Sequence, residues 1–303
     1  MAAAVKETKA DKIFIVFNYI YLVLAFIIVA YPILYIISAS ISDPKLVNSG
    51  EMWLFPKGIT FEGYMRVFEN AKIWSGYKNT IIYTLVGTAV NLFVTLPAAY
   101  ALSRKDFIGR NFFMGMFLFT MFFGGGLVPG YLLVKNLGLV NTMWALILPG
   151  AASVWNIIVA RTFFQSTIPK ELQEAAHIDG CTNLRLFVKV VLPLSTPIIA
   201  VMALFYGVGH WNSYFGALIY LNEETKYPLQ MILRQILVLQ EMSAMTKGAA
   251  IDSSVAAAMN NKAEVAALVK YAVIIVSSLP VIVVYPFVQR YFVQGVMIGS
   301  VKG

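Results

Sequence analysis

Six stretches of the chain contain no Asp, Glu, Lys or Arg: 13–42, 79–103, 111–134, 136–160, 190–222 and 271–289. A helix rising 1.5 Å per residue needs roughly 20 apolar residues to cross a bilayer, and each stretch is about that long or longer. Together they make up half of the 303 residues. Only 13% of the chain is charged, 59% is hydrophobic and the mean hydropathy is +0.73, whereas soluble domains carry about 25% charge. Such a chain cannot cover itself in water. The expected fold is an all-α membrane protein with six transmembrane helices; a soluble enzyme, a nucleic-acid binder and a disordered protein are excluded. The first run is twice as long as a signal-peptide core of about 7–15 residues, so it is read as a retained span. One cysteine, Cys181, excludes an internal disulfide, and two histidines far apart argue against a histidine-rich metal site.

Charge sets the expected orientation. With the N-terminus inside, segments 1–12, 104–110, 161–189 and 290–303 hold 12 basic and six acidic residues. The longer outer segments, 43–78, 135 and 223–270, hold 11 and nine. Basic density is higher on the first side, so both termini are expected to be cytoplasmic. The net charge of +8 then reflects basic inner loops rather than a nucleic-acid surface. The organisation is a tail (1–12), a six-span domain (13–292) with an inner loop 168–193 and an outer loop 223–270, and a second tail (293–303).

What the spans lack is equally informative. None carries a carboxylate, ammonium or guanidinium, which an ion-coupled transporter uses as a relay. Matching inverted halves are not visible. The chain has no G-x-x-x-x-G-K-[ST] loop to cradle nucleotide phosphates. Uphill movement of a solute would need energy from another polypeptide.

The inner loop runs Ile168-Pro169-Lys170-Glu171-Leu172-Gln173-Glu174-Ala175-Ala176-His177-Ile178-Asp179-Gly180, then Cys181-Thr182-Asn183-Leu184-Arg185-Leu186-Phe187-Val188-Lys189-Val190-Val191-Leu192-Pro193. Its pattern predicts two short helices around a tight bend. Pro169 suits a first turn, and Glu171 and Glu174 lie early, where the helix dipole favours acids. Asp179-Gly180 supplies the stop, and Thr182 or Asn183 can cap the second helix. Leu184, Phe187, Val188 and Val191 fall on one expected apolar face. Ala175 and Ala176 present little side chain, so the first helix can enter a narrow groove, and Glu174 offers a carboxylate to a partner Arg.

Glu174-Ala175-Ala176, Gly180 six residues after the Glu, and Leu192-Pro193 beyond it match the EAA loop of bacterial ABC importer permeases. The wider stretch from Asn79 to Gly303 resembles the permease family that includes the maltose transporter's second membrane subunit. Leu137-Gly138-Leu139-Val140-Asn141-Thr142 and Trp211-Asn212-Ser213-Tyr214-Phe215 are similar to its sugar-importing branch. Gly125-Gly126-Leu127-Val128-Pro129 and the tail Tyr291–Gly299 resemble a Gram-positive subgroup linked to complex oligosaccharides. The resemblance implies a type I importer permease fold in the bacterial cell membrane, a non-enzyme without a cofactor, with ATP bound by partner subunits. Implied partners are a second, different permease, two ATP-binding subunits, an extracellular solute-binding protein, the carbohydrate and lipid, but no nucleic acid. The first loop helix becomes the coupling helix, with Glu174, Ala175, Ala176, Asp179 and Gly180 as ATPase-coupling residues. By the same resemblance the outer loop meets the binding protein and the tail enters between the ATPases.

Two regions are candidates for the solute path. Gly124-Gly125-Gly126 with Pro129 interrupts the third run and reads as a gate or cavity wall, or as a helix end and turn. His210, Trp211, Asn212 and Tyr214 combine rings, donors and acceptors, as sugar sites do; the other reading is packing, with His210 donating to a neighbouring backbone. Asn91 and Asn156 are read as glue between helices. Trp53, Phe55, Phe61 and Tyr64 suit a membrane surface. Leu229, Ile232, Ile236 and Leu239 predict an amphipathic helix lying on lipid or on the companion subunit. The cargo reading is an oligosaccharide; a polyol, a uronate-bearing oligosaccharide and a secondary transporter are the alternatives.

Overall fold

The computed structural model describes residues 8–246, 266–267, 269–287 and 289. The expected tail 293–303, the Tyr291–Gly299 motif, residues 1–7 of the first tail and residues 247–265 of the outer loop lie outside the described residues. Among those described, the secondary structure is helical without a strand. The chain divides into two units, Met1–Asn70 with Ile236–Ser277, and Ala71–Gln235 with Ser278–Gly303.

In the first unit, α1 (Lys9–Ser40) begins at a reciprocal cap between Thr8 and Asp11 and continues through Pro32. None of its most apolar stretch is buried by the chain, as befits a helix whose solvent is lipid. Two short helices follow, α2 (Pro44–Asn48) and α3 (Glu62–Glu69). Val47 and Met52 pack on Ala39, with Tyr35 and Tyr271 at the edge, and the Ser40 and Tyr64 hydroxyls lie 2.9 Å apart. Trp53, Phe55 and Phe61 are exposed, the placement expected of interfacial aromatics.

The second unit is organised around α4 (Ala71–Ser103), 33 residues and so about 50 Å long. It is followed by α5 (Arg110–Phe122), α6 (Leu127–Asn136), α7 (Trp144–Ile147, prolonged by a 3-10 turn to Gly150) and α8 (Val154–Thr167). Then come α9 (Lys170–Ile178), α10 (Asn183–Leu186), a π-helical turn (Phe187–Val191), α11 (Leu192–Leu194), α12 (Thr196–Trp211) and α13 (Phe215–Tyr220). Two more, α14 (Leu229–Thr246) and α15 (Val269–Phe287), run through both units. The core lies where α8 and α12 pack on α4, around Ala99, Tyr100, Ile157, Ala160, Phe164 and Met202.

Three of the six apolar runs form single membrane-length helices, α1, α4 and α15. The other three are bent pairs: α5 with α6 by 113°, α7 with α8 by 52°, and the Asn183–Leu194 segment with α12 by 83°. Hydropathy marks the runs but is blind to their breaks. Span ends also move. The helix α8 continues past Arg161, whose Nε donates to the Leu102 carbonyl at 2.9 Å. The charge thus satisfies a carbonyl left open at the end of α4.

The helix expected from Leu229, Ile232, Ile236 and Leu239 is α14, but its first turn lies on this chain's own α4. Leu229 and Ile232 are buried, and the Leu229 N–H donates to Thr80 Oγ1 at 2.8 Å. Ile232 occupies the space a Cβ at Gly76 would need. Leu239's side chain lies outside the described residues.

Candidate functional site

The inner loop folds much as its residues dictate. Pro169 stands at the N-cap of α9 and Asp179 at its C-cap. Gly180 takes φ +70°, a region that costs glycine little. The Cys181 N–H then reaches back to the Ala176 carbonyl at 2.9 Å and closes the helix end. Thr182 caps α10 by accepting from the Arg185 N–H. Leu172 and Ala176 face inward against the core around Ile168 and Phe164. Glu174, Ala175, Asp179 and Gly180 are exposed. The two alanines therefore divide: Ala176 anchors the helix and Ala175 is open. No described cation makes an ion pair with Glu174.

One expected face is corrected. Leu184 and Val188 are 74% and 51% exposed, whereas Leu186, Phe187 and Val191 are buried. A π-helical turn runs over Phe187–Val191, and its i→i+5 winding keeps Phe187 and Val191 on the buried side with Val188 outside; Leu184 lies before that turn, in α10.

This loop is tied to α4 at two points. The Phe187 ring stacks on Tyr100 with centroids 5.1 Å apart, and Tyr100 meets Phe164 edge-on at 5.7 Å. Arg104 donates to Asn183 Oδ1 at 3.2 Å, to the Tyr100 hydroxyl at 3.3 Å, and through two nitrogens to Asp106 at 2.9 and 2.6 Å. The hydrogen bonds from Arg104 hold the Asp106 carboxyl below its ordinary range, and Asp106 in turn pushes the guanidinium up. A cleft of about 770 Å³ opens between residues 103–110 and α9, lined by Arg104, Lys105, Arg110, Gln173, Glu174 and His177 among others. Packed side chains thus connect α9, through Phe164, to Tyr100 of α4.

Farther along, α4 meets the broken fourth run and α12 at two buried polar rungs. Asn91 donates through Nδ2 to the Gly150 and Ala151 carbonyls at 2.7 and 2.9 Å, which the break leaves without helical partners. Its Oδ1 therefore faces His210 Nε2 at 2.6 Å, so that nitrogen is the donor. The Tyr206 hydroxyl lies 2.7 Å from Thr95 Oγ1 and accepts from the Ser153 N–H at 3.4 Å. Gly87 makes room: a Cβ there would sit 2.5 Å from His210 Nε2.

The four fifth-span candidates do not share one surface. His210 turns to Asn91, and Trp211 is buried with its ring edge-on to Tyr77 at 6.1 Å. Asn212 and Tyr214 are exposed. Asn212 caps its own helix through the Val208 carbonyl at 3.0 Å. Tyr214 lies under the Arg234 guanidinium, 5.7 Å from ring centroid to Cζ. Gly125 and Gly126 are exposed at the 113° bend, and Gly126 takes φ +83°. Sequence reading passed over Arg234. Its signal was present, since it is the one charge between Lys226 and Glu241.

At the end of α4 remote from α9, Asn141 adopts φ 64°. Its Oδ1 accepts from the Asn222 and Glu223 N–H groups at 3.2 and 3.3 Å, and its own N–H donates to the Tyr220 carbonyl at 2.8 Å. Lys226, followed by Asn141, holds the Glu223 carboxyl below its usual range. Among the described residues no group of three metal-ligating side chains occurs.

Residues 71–298 match the family described as binding-protein-dependent transport system inner membrane component. Protein LplC of Bacillus subtilis (strain 168) is 42% identical over 297 residues, spanning 98% of this chain and 97% of that one. The polygalacturonan/rhamnogalacturonan transport system permease protein YtcP of the same organism is 40% identical, over 97% and 99%. A crystal structure of a bacterial ABC transporter involved in the import of the acidic polysaccharide alginate matches with TM-score 0.83 at 35% identity. It covers 95% of this chain and all of that one.

Proposed function

This chain belongs to the binding-protein-dependent transport system inner membrane components, and from that premise we propose that it is the permease subunit of an ATP-driven importer of oligosaccharides. It forms half of a translocation pathway with a second, different permease. Two ATPase subunits and an extracellular binding protein complete the assembly, and this chain performs no covalent chemistry and binds no cofactor. Both termini and α9 lie on the cytoplasmic side in this reading. The saccharide cargo is supported by the names of relatives, among them the arabinooligosaccharides transport system permease protein AraQ, 30% identical over 285 residues.

The observation that carries the coupling role is the two-sided build of α9. Leu172 and Ala176 fix it to the core, while Glu174 and Ala175 stand open beside a cleft. The open side receives the ATPase subunit, with Glu174 pairing with a partner cation. ATP-driven closure of the ATPases moves α9, and the Tyr100–Phe187 stack passes that motion to α4. Ala175→Trp tests it, because a large ring on the open face obstructs docking without touching the core. The expected result is a membrane-inserted subunit that no longer copurifies with its ATPase. Retention of the ATPase with stimulated hydrolysis contradicts the assignment.

A further inference from the structure

We propose that Arg234 and Tyr214 form a subsite for the carboxylate of an acidic saccharide. This deepens the importer reading and rests on it. Tyr214 is 42% exposed and follows directly on the exposed Asn212 and Ser213 at the end of α12. The Arg234 guanidinium lies over its ring, and among the described residues no carboxylate pairs with Arg234. A guanidinium with no carboxylate partner keeps its N–H donors available for a charge-assisted contact with an anion.

The pair is held on a rigid frame. Met231 packs with Ala217 and Leu221 in one buried cluster, joining α14 to α13. Arg234 follows Met231 by three residues and so shares that helix face. Leu229, bonded to Thr80, and Ile232, seated over Gly76, fix the start of α14 to α4. Tyr214 is the residue before α13. The guanidinium is therefore positioned from two helices, with the ring restricting one face.

The chemistry selects the ligand class. A neutral sugar asks for aromatic faces, amides and hydroxyls, which Tyr214, Ser213 and Asn212 already offer. It gives an unpaired guanidinium nothing comparable to a charge-assisted contact. A uronate carboxylate accepts two parallel N–H bonds from it, the strongest pairing available to either group.

The test uses the complete transporter, with its ATPases and binding protein, in proteoliposomes. Uptake of labelled trigalacturonate and trimannuronate is compared with that of galactotriose and mannotriose. The wild type should favour at least one uronide over its neutral counterpart. Arg234→Gln should cut uronide uptake by about tenfold or more, the loss expected for one charged contact. Arg234→Lys should retain more than Arg234→Gln, and the assembled complex should be recovered in wild-type yield. Preference for the neutral trisaccharides, or uronide uptake within twofold of wild type in Arg234→Gln, overturns the subsite and leaves the importer reading intact. Loss of assembly in parallel with uptake assigns Arg234 to a subunit or lipid contact and also overturns it. A wild-type complex that carries no saccharide overturns both.

Discussion

His210 Nε2 and Asn91 Oδ1 lie 2.6 Å apart, 119 residues distant in sequence. With the Asn91 amide committed to the Gly150 and Ala151 carbonyls, this contact joins α4, the break before α8 and α12 at one point. Inside a bilayer no water can satisfy the carbonyls of a broken helix, so a side chain must. Asn91 does so and His210 holds it in place.

Gly87→Ala tests that junction. A Cβ would stand 2.5–2.8 Å from three atoms of the His210 ring, so the ring has to leave Asn91. The expected cost is about 1–3 kcal/mol, typical of overpacking, read as a lower unfolding midpoint in detergent. Combined with His210→Ala the cost should fall short of the sum of the two single costs, because both variants break the same contact. Additive costs would show that the two positions act separately.

Asn141 separates backbone strain from side-chain bonding. At φ 64°, alanine pays about 1 kcal/mol that glycine avoids, and both lose the bonds to Asn222 and Glu223. Asn141→Ala should therefore be less stable than Asn141→Gly, which should be less stable than wild type. Equal midpoints for all three would remove Asn141 from the joint.

The Arg104–Asp106 pair predicts an acid-side weakening. Asp106 has its carboxyl pKa lowered by Arg104, so its contribution is present above the unfolded value near 3.9. It fades as pH falls through the lower folded value. Hydrogen-exchange protection across 104–110 should be flat above about pH 5 and drop below about pH 4, and Asp106→Asn should abolish the drop. A decline centred above pH 5 contradicts the pairing.

Phe187→Leu tests transmission. The change trims the stack on Tyr100 while keeping an apolar side chain, at about 1 kcal/mol or somewhat more. ATP hydrolysis should persist while solute moved per ATP falls. An unchanged ratio would move the transmission route elsewhere.

The legible parts of the fold were local. Asp179-Gly180 as a stop, Thr182 as a cap and the inward Leu172 all follow from neighbours within one or two turns. The apolar runs follow from the solvent alone. What escaped required partners far along the chain. Nothing near Asn91 announces the carbonyls at 150–151, so His210 was read against a backbone or a polar pathway rather than a side chain. The break in the third run was legible in Gly124-Gly125-Gly126 and Pro129, where the 113° bend falls; the bends before α8 and α12 were not, because a broken span has the composition of a straight one. The inward face expected for Val188 rests on an α period that the π turn over Phe187–Val191 does not keep. Trp211 and Tyr214, three residues apart, looked like one aromatic cluster; the end of α12 at Asn212 separates them.

Vesicle uptake with the ATPase subunits present or withheld tests the importer role most directly. Reconstituted with its permease partner, the ATPases and binding protein, this chain should support oligosaccharide accumulation that requires ATP and vanishes with Ala175→Trp. Accumulation by vesicles containing this polypeptide alone, without nucleotide, would contradict it.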